Sequence, residues 1–167
     1  LKLQGCSVLV TGSSKGIGLA TAIAFAREGA VPLIVSRSAD ALESALAGIK
    51  QETGVTAQAV TVDLAHADGI KSLMSRAGEI DILVNNAGAI PGGSLADVDD
   101  ARWRQAWELK LFGYINLVRE VLPQMEKRGR GVIANIIGMA GAAPRSEYVC
   151  GSTANAALMA FTQAVGA

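Results

Sequence analysis

The sequence has few metal-binding or disulfide-forming side chains and no excess of one charge. Its 167 residues contain a single histidine, His66, and two cysteines, too few ligands for a structural zinc site within one chain. Cys6 and Cys150 lack the spacing of a disulfide framework, so we expect two free thiols in a reducing compartment. Fifteen Lys and Arg balance fifteen Asp and Glu, which argues against a basic field for nucleic acid or an anionic membrane.

Long apolar runs are missing as well. No stretch reaches the roughly 18 apolar residues of a membrane span, and residues 1–5 lack the apolar core of a signal peptide. We therefore expect a cytoplasmic protein. Half of the residues are hydrophobic and only 18% are charged, so the chain has enough apolar side chains for a sizeable core. At about 150 residues per domain, residues 1–167 are expected to form one domain.

Short runs rich in Val and Ile alternate with longer helical patterns. The runs predict buried strands at Ser7–Thr11, Val31–Ser36, Thr56–Val62, Ile80–Asn85 and Gly131–Ile137. Apolar residues at intervals of three and four predict helices at Ile17–Glu28, Ala39–Thr53, Asp68–Ala77, Asp100–Lys127 and Tyr148–Ala164. Because parallel strands need long crossovers, this alternation predicts an α/β fold with a doubly wound parallel sheet between two helical layers. The fifth strand would keep an unpaired edge, so we expect an incomplete chain.

A glycine-rich turn joins the first predicted strand to the first helix. It reads Thr11-Gly12-Ser13-Ser14-Lys15-Gly16-Ile17-Gly18. Glycines allow a tight turn and a close backbone approach to a pyrophosphate, while the helix N-terminus offers free N–H groups and a partial positive charge. An ordinary turn with a glycine cap is the alternative. The position at the first strand-to-helix junction favours a dinucleotide site.

The spacing Gly-x-x-x-Gly-x-Gly, together with Asn85-Asn86-Ala87-Gly88 after the fourth strand, resembles the classical short-chain dehydrogenase/reductases. Asp63-Leu64, the segments 122–125 and 132–141, and Tyr148 match further family motifs in the family's order. The resemblance implies a Rossmann-type NAD(P)-binding domain, three-layered α/β/α, without the family's C-terminal strands. It implies cofactor contacts from Gly12, Ser14, Lys15, Gly16, Ile17, Gly18, Arg37, Asp63, Leu64, Asn85, Ala87 and Gly88.

Two basic residues bear on which nicotinamide cofactor is bound. NAD sites carry an acidic residue about 20 positions beyond the glycines, but here the second strand ends in Ser36-Arg37-Ser38. A guanidinium there is suited to a 2′-phosphate, and Lys15 adds a second cation, a pair similar to the family's NADPH-preferring branch. We therefore expect NADP(H) rather than NAD(H). Alternatively, Arg37 and Lys15 are solvated surface cations, and Asp63 caps the turn before His66.

The family's catalytic positions are largely substituted. In the family a tyrosine donates the proton, a lysine four residues later lowers the tyrosine pKa, a serine polarises the carbonyl, and an asparagine anchors a water. Tyr148 is present, but the other three positions hold Ser152, Gly138 and Lys110. Nothing local would then depress a phenol pKa of about 10. The alternative role for Tyr148 is an aromatic that only packs near the cofactor.

Lys110 offers one way to restore the missing positive charge. We expect its side chain to reach toward Tyr148 or the nicotinamide ribose, although a flexible lysine could equally extend to solvent or an interface. Ser152, one helical turn beyond Tyr148, has a hydroxyl that is able to accept a hydrogen bond. The candidate catalytic residues are therefore Tyr148, Lys110 and Ser152. No metal site is expected.

Two functions remain open at this stage. The first is an NADP(H)-dependent oxidoreductase that acts on a small carbonyl or alcohol, with Tyr148 as acid/base. The second is a non-catalytic NADP(H)-binding sensor or an inactive subunit of a hetero-oligomer. In the family the fourth and fifth helices pair into dimers and tetramers. The resemblance thus implies a homodimer or homotetramer through these helices, a small-molecule substrate, and neither a nucleic-acid nor a membrane partner.

Overall fold

A computed structural model describes residues 3–166 and contains a sheet of five parallel strands. The strands are β1 (Ser7–Thr11), β2 (Val31–Ser36), β3 (Gln58–Thr61), β4 (Ile82–Asn85) and β5 (Val132–Asn135). Their order across the sheet is β3-β2-β1-β4-β5, and all four adjacent pairs are parallel. The strand order reverses beside β1, so the carboxyl ends of β1 and β4 open a crevice, which is where ligands bind in such sheets.

Residues 3–166 form six α-helices, which pack on the sheet or on one another. They are α1 (Gly16–Arg27), α2 (Ala39–Thr53), α3 (Ala67–Ala77), α4 (Asp100–Trp107), α5 (Gly113–Arg128) and α6 (Val149–Val165). Successive strand residues point to opposite faces, so Val8 and Val10 pack with α1 and α2, whereas Leu9 packs with α3 and α5. The predicted three-layer α/β/α fold is confirmed.

The strands β3, β4 and β5 are shorter than predicted, while β1 and β2 match their predicted bounds. β5 pairs only with β4 within residues 3–166, and Val132 at its start is 57% exposed. Beyond β5, the Ile136 N–H still donates to the Asn85 carbonyl before the chain turns into a short 3₁₀ segment at Met139–Gly141. Ladder hydrogen bonds, which hydrophobic runs do not reveal, set these strand ends.

The long helix predicted at Asp100–Lys127 is interrupted by a π-turn at Glu108–Phe112. The Gly113 N–H donates to the Glu108 carbonyl, five residues back. Such turns hold an extra residue inside a helix and occur frequently at functional sites. Here the turn contains Lys110, one of the candidate catalytic residues. In the part of the chain that the structure describes, no helix combines the length and apolarity needed to cross a membrane.

Candidate functional site

The glycine turn lies between β1 and α1 and is closed by steric contacts that only glycine permits. Gly12 has a φ of +62°, and a Cβ there would lie 2.8 Å from the Ala87 Cα. A Cβ on Gly18 would lie 2.4 Å from the Gly12 carbonyl oxygen. The residues of α1 therefore pack directly against the turn, as a close backbone approach to a phosphate group requires. This helix begins at Gly16, one residue before the predicted start.

Asn86 holds the glycine turn in place and was not among the predicted cofactor residues. Its side-chain Nδ2 donates to the carbonyl oxygens of Thr11 and Gly12 at 2.9 and 3.1 Å. The Thr11 hydroxyl in turn accepts the N–H groups of Asn86 and Ala87. The predicted residue Asn85 instead points into the sheet, where its Nδ2 donates to the Asn135 Oδ1 at 3.0 Å. Hence the loop after β4 supports the turn after β1.

One end of the cleft carries the two cations predicted to select the cofactor. A cavity of about 380 Å³ is lined by Gly12, Ser14, Lys15, Val35, Ser36, Arg37, Val62, Leu64, Asn86, Ala87, Gly88, Ala89 and Leu109. Lys15 and Arg37 are exposed, and neither side chain makes a hydrogen bond or ion pair with any residue between 3 and 166. The Ser14 hydroxyl donates to the Ser36 hydroxyl at 3.1 Å, and both residues line this cavity. This corner therefore combines two free cations with two hydroxyls.

Asp63 and Leu64 lie at the edge of the same cleft. Leu64 lines the cavity with the cations, and Asp63 lines an adjoining cavity of about 530 Å³ that also contains Arg37. The Asp63 Oδ1 accepts the Ala65 N–H at 3.0 Å, so this carboxylate does cap its own turn. His66, the N-cap residue of α3, is exposed and lines the same adjoining cavity.

The other end of the cleft brings together two of the three candidate catalytic residues, Tyr148 and Lys110, but not Ser152. A cavity of about 720 Å³ shares Gly12, Lys15, Asn86 and Gly88 with the cation end. Its remaining lining residues are Gly16, Ile17, Ile90, Lys110, Ile136, Ile137, Gly138, Met139, Ala140, Arg145, Tyr148 and Asn155. Three of the lining residues are basic, and no lining residue that the structure describes is acidic. The cavity is therefore suited to an anionic ligand that extends from the glycine turn toward Tyr148.

Tyr148 lies immediately before α6, with its ring folded over Gly151. A Cβ on Gly151 would lie 2.0 Å from the Tyr148 Cζ, so only glycine allows this ring position. Burial raises the pKa of the Tyr148 phenol, and the neighbouring Cys150 raises this pKa further. Within residues 3–166 the Tyr148 hydroxyl has no hydrogen-bond partner. The phenol therefore stays protonated at neutral pH and is free to donate.

Lys110 enters the cleft from the π-turn but does not bond to Tyr148. Its Nζ donates to the Tyr114 hydroxyl at 2.8 Å and to the Ile136 carbonyl at 2.7 Å. It also lies 4.5 Å from the centre of the Tyr114 ring. Burial lowers the pKa of Lys110 to about 8. The third N–H of this ammonium has no recorded partner among the described residues and remains available to a ligand.

Gly88 and Tyr114 make the position of Lys110 possible. A Cβ on Gly88 would lie 2.7 Å from the Lys110 Cδ, so the glycine after β4 leaves room for the lysine stem. Tyr114, which accepts a hydrogen bond from Lys110, is buried, and burial raises the pKa of its phenol well above the ordinary range. Sequence reasoning missed Tyr114. The four-residue spacing from Lys110 was the available signal, since such pairs meet on a helix.

Ser152 and Gly138 do not replace the family's lysine and serine directly. Ser152 is buried, and its hydroxyl accepts the Arg145 N–H at 3.1 Å. It thereby fixes the loop that precedes Tyr148 rather than the Tyr148 hydroxyl. Gly138 offers no hydroxyl to the cleft, and a Cβ there would lie 3.0 Å from the Asn155 Nδ2. Both cysteines are free thiols, and Cys150 is fully buried in apolar surroundings, which fits a packing residue.

The fold and the glycine turn define a Rossmann-type, NAD(P)-binding protein class. The profile described as short chain dehydrogenase matches residues 7–167, nearly the whole sequence. The chain therefore belongs to the short-chain dehydrogenase family. This confirms the resemblance drawn from the glycine turn and the motif after β4.

Two relatives named as dehydrogenases are similar to this chain in sequence. The 7alpha-hydroxysteroid dehydrogenase of Escherichia coli K12 is 38% identical over 144 residues, which cover 84% of this chain and 56% of the relative. The D-xylose 1-dehydrogenase of Caulobacter vibrioides is 32% identical over 166 residues, covering 98% and 65%. The chain therefore spans between 56% and 65% of the length of these two relatives.

Solved structures give the same result. The crystal structure of L-sorbose reductase from Gluconobacter frateurii, complexed with NADPH and L-sorbose, superposes with a TM-score of 0.90 at 35% identity. The match covers 98% of this chain and 64% of the reductase. An NAD+-bound xylitol dehydrogenase also superposes with a TM-score of 0.90, at 28% identity over 99% of this chain and 65% of that protein. Similar proteins thus bind either cofactor.

Proposed function

We propose that the protein is an NADP(H)-dependent oxidoreductase that reduces a small carbonyl compound or oxidises the corresponding alcohol. One observation carries this proposal: the glycine turn, the two free cations and Tyr148 line one continuous cleft. The cleft fits a dinucleotide because the glycines at 12 and 18 leave no side chain between the backbone and a pyrophosphate. Such a cofactor supplies or accepts the hydride.

The preference for NADP(H) over NAD(H) rests on charge. Arg37 and Lys15 have no internal acidic partner among residues 3–166, so a 2′-phosphate would meet two uncompensated cations. The hydroxyls of Ser14 and Ser36 add donors at the same corner. Asp40, the first acid after β2, is exposed on α2 and comes too late in the chain to take the usual ribose-binding position.

In the proposed reaction Tyr148 donates a proton to the substrate oxygen during reduction. Because the pKa of this phenol is raised, the hydroxyl is protonated near neutral pH and is able to act as an acid. To act as a base in alcohol oxidation it must first lose this proton, which the raised pKa opposes. Lys110 supplies the positive charge at this end of the cleft and has one N–H left for the nicotinamide ribose or the substrate. Ser152 contributes by holding the backbone of Arg145, next to the cavity.

We further propose that the protein is cytoplasmic and that residues 1–167 belong to a single domain. A homodimer or homotetramer through the region of α4, α5 and α6 is supported by exposed apolar residues near Trp103 and Trp107. Leu95 is 72% exposed and Phe112 is 43% exposed, and both line a cavity with the two tryptophans. Light scattering on the purified protein tests the assembly, and a monomer at micromolar concentration would contradict it.

Titration followed by a turnover screen tests the proposed function. NADPH and NADH are titrated into the full-length protein by fluorescence, and a panel of aldehydes, ketones and alcohols is then screened by nicotinamide absorbance. We expect tighter binding of NADPH and measurable turnover. Tyr148→Phe keeps the ring but removes the proton, so kcat should fall by about 10² to 10⁴ with unchanged NADPH affinity. Binding without any turnover would contradict the enzymatic role and favour a non-catalytic NADP(H) sensor or inactive subunit.

A further inference from the structure

Asn155 is a buried polar residue in the wall of the catalytic cavity. It lies seven residues after Tyr148 on α6, is only 3% exposed, and lines the same cavity as Tyr148 and Lys110. Its side-chain Oδ1 accepts the Gly138 N–H at 2.9 Å. Its Nδ2 donates to the Gly151 carbonyl at 2.8 Å. The amide thus links the loop after β5 to the first turns of α6.

These two hydrogen bonds determine which way the amide faces. A backbone N–H can only donate and a backbone carbonyl can only accept, so the oxygen must face Gly138 and the nitrogen must face Gly151. The Nδ2 atom carries two hydrogens. The bond to Gly151 uses one of them, and no described residue accepts the other. Asn155 therefore holds one spare donor in a fixed orientation.

The absence of a side chain at Gly138 leaves the Asn155 amide at the cavity wall. A Cβ on Gly138 would lie 3.0 Å from the Asn155 Nδ2 and 3.4 Å from its Cγ, which is closer than ordinary packing. The nitrogen therefore borders the space where a side chain of residue 138 would begin. Any group that enters this space from the cleft comes into contact with the Asn155 amide.

We propose that the Asn155 Nδ2 donates a hydrogen bond to the substrate carbonyl oxygen. This inference rests on the proposed oxidoreductase function and names the group that polarises the carbonyl. The carbonyl carbon accepts a hydride and forms a C–H bond, while the π electron pair of the C=O bond moves to oxygen. That oxygen takes the phenolic proton of Tyr148, so the carbonyl is reduced to an alcohol and the dinucleotide is oxidised. The spare N–H stabilises the negative charge that develops on the oxygen.

Asn155→Asp tests the proposal because it keeps the shape of the side chain and removes both N–H groups. We expect kcat to fall by about 10² to 10³, the usual loss for one oxyanion donor. NADPH affinity should change by less than about twofold, because Asn155 does not line the cation end of the cleft. Gln163→Glu makes the same chemical change at an exposed position of α6 and should leave kcat unchanged.

A second pair of variants separates a catalytic role from a structural one. Gly138→Ser in the Asn155→Asp background places a hydroxyl in the same space and should recover at least tenfold in kcat. Gly138→Ala fills the space without a donor and should recover nothing. A general loss of structure would not be reversed by one hydroxyl. If Asn155→Asp fails to fold, Gly138→Ala and Gly138→Ser in the unsubstituted protein give the same contrast, with kcat of the serine variant at least tenfold above that of the alanine variant.

The outcomes distinguish this inference from the proposed function. No turnover by the unsubstituted protein with any panel member would overturn both. Turnover that stays within about threefold in a folded Asn155→Asp variant would overturn only the role of Asn155. Equal kcat values for the serine and alanine variants at position 138 would do the same.

Discussion

Replacing Lys110 by methionine should change how the stability of the protein depends on pH. Burial lowers the pKa of Lys110 from the ordinary 10.5 to about 8 in the folded protein. Between these two values the unfolded chain holds a proton that the folded chain has lost, so the free energy of unfolding rises with pH. At about 1.4 kcal/mol per pH unit, the total rise attributable to this group is about 3 kcal/mol. Below pH 8 the charged, partly buried ammonium carries its full desolvation cost.

Methionine carries no titrating group, so the free energy of unfolding of Lys110→Met lacks this rise with pH. Urea unfolding of both proteins at several pH values from 7 to 10.5 measures the effect as a difference, so other titrating groups cancel. We expect the unsubstituted protein to gain about 3 kcal/mol relative to Lys110→Met over this interval. For Lys71→Met, at an exposed position of α3, the free energy of unfolding should change with pH in the same way as for the unsubstituted protein. A constant difference between the Lys110 variant and its parent would refute the burial of this lysine.

Three further substitutions test the cleft. Arg37→Asp should weaken NADPH binding by about 10- to 150-fold, the loss of 1.5 to 3 kcal/mol for a charge-assisted contact, with no loss for NADH by fluorescence titration. Gly151→Ala should displace the Tyr148 ring and lower kcat without lowering the melting temperature, because alanine favours a helix. Gly18→Ala should abolish cofactor binding and destabilise the fold, whereas Gly48→Ala, with open space around it, should stabilise by up to about 1 kcal/mol.

The sheet and the glycine turn were predictable from sequence because they depend on local patterns. Runs of Val and Ile place β1 and β2 with correct bounds, and the glycine spacing identifies the turn between β1 and α1. These elements are specified by neighbours in the chain. The ends of β3, β4 and β5 are set by hydrogen bonds between distant strands, so periodicity alone made these strands too long.

The catalytic end of the cleft was harder to predict because its contacts join distant elements. Asn155 on α6 bonds to the loop after β5, and Asn86 bonds across to the turn after β1. Asn155 does not stand out in sequence, since an asparagine in a helix is ordinary. Asn86 lies inside the recognised motif after β4, but the motif alone did not assign it this contact. Lys110 was identified only as a substitution within a family motif, and its partner Tyr114 emerged once the π-turn set the direction of both side chains.

The π-turn absorbs one extra residue within the helical segment formed by α4 and α5. Trp107, on one side of the turn, packs with Cys150, whereas Leu117 and Val121, beyond it, pack on the sheet. Because the turn holds one extra residue, removing one residue from Glu108–Phe112 would restore regular α-helical spacing and keep these two faces in register. The fold should therefore tolerate a single-residue deletion here better than one inside α5, where a rotation of about 100° would turn the residues beyond the deletion away from the sheet.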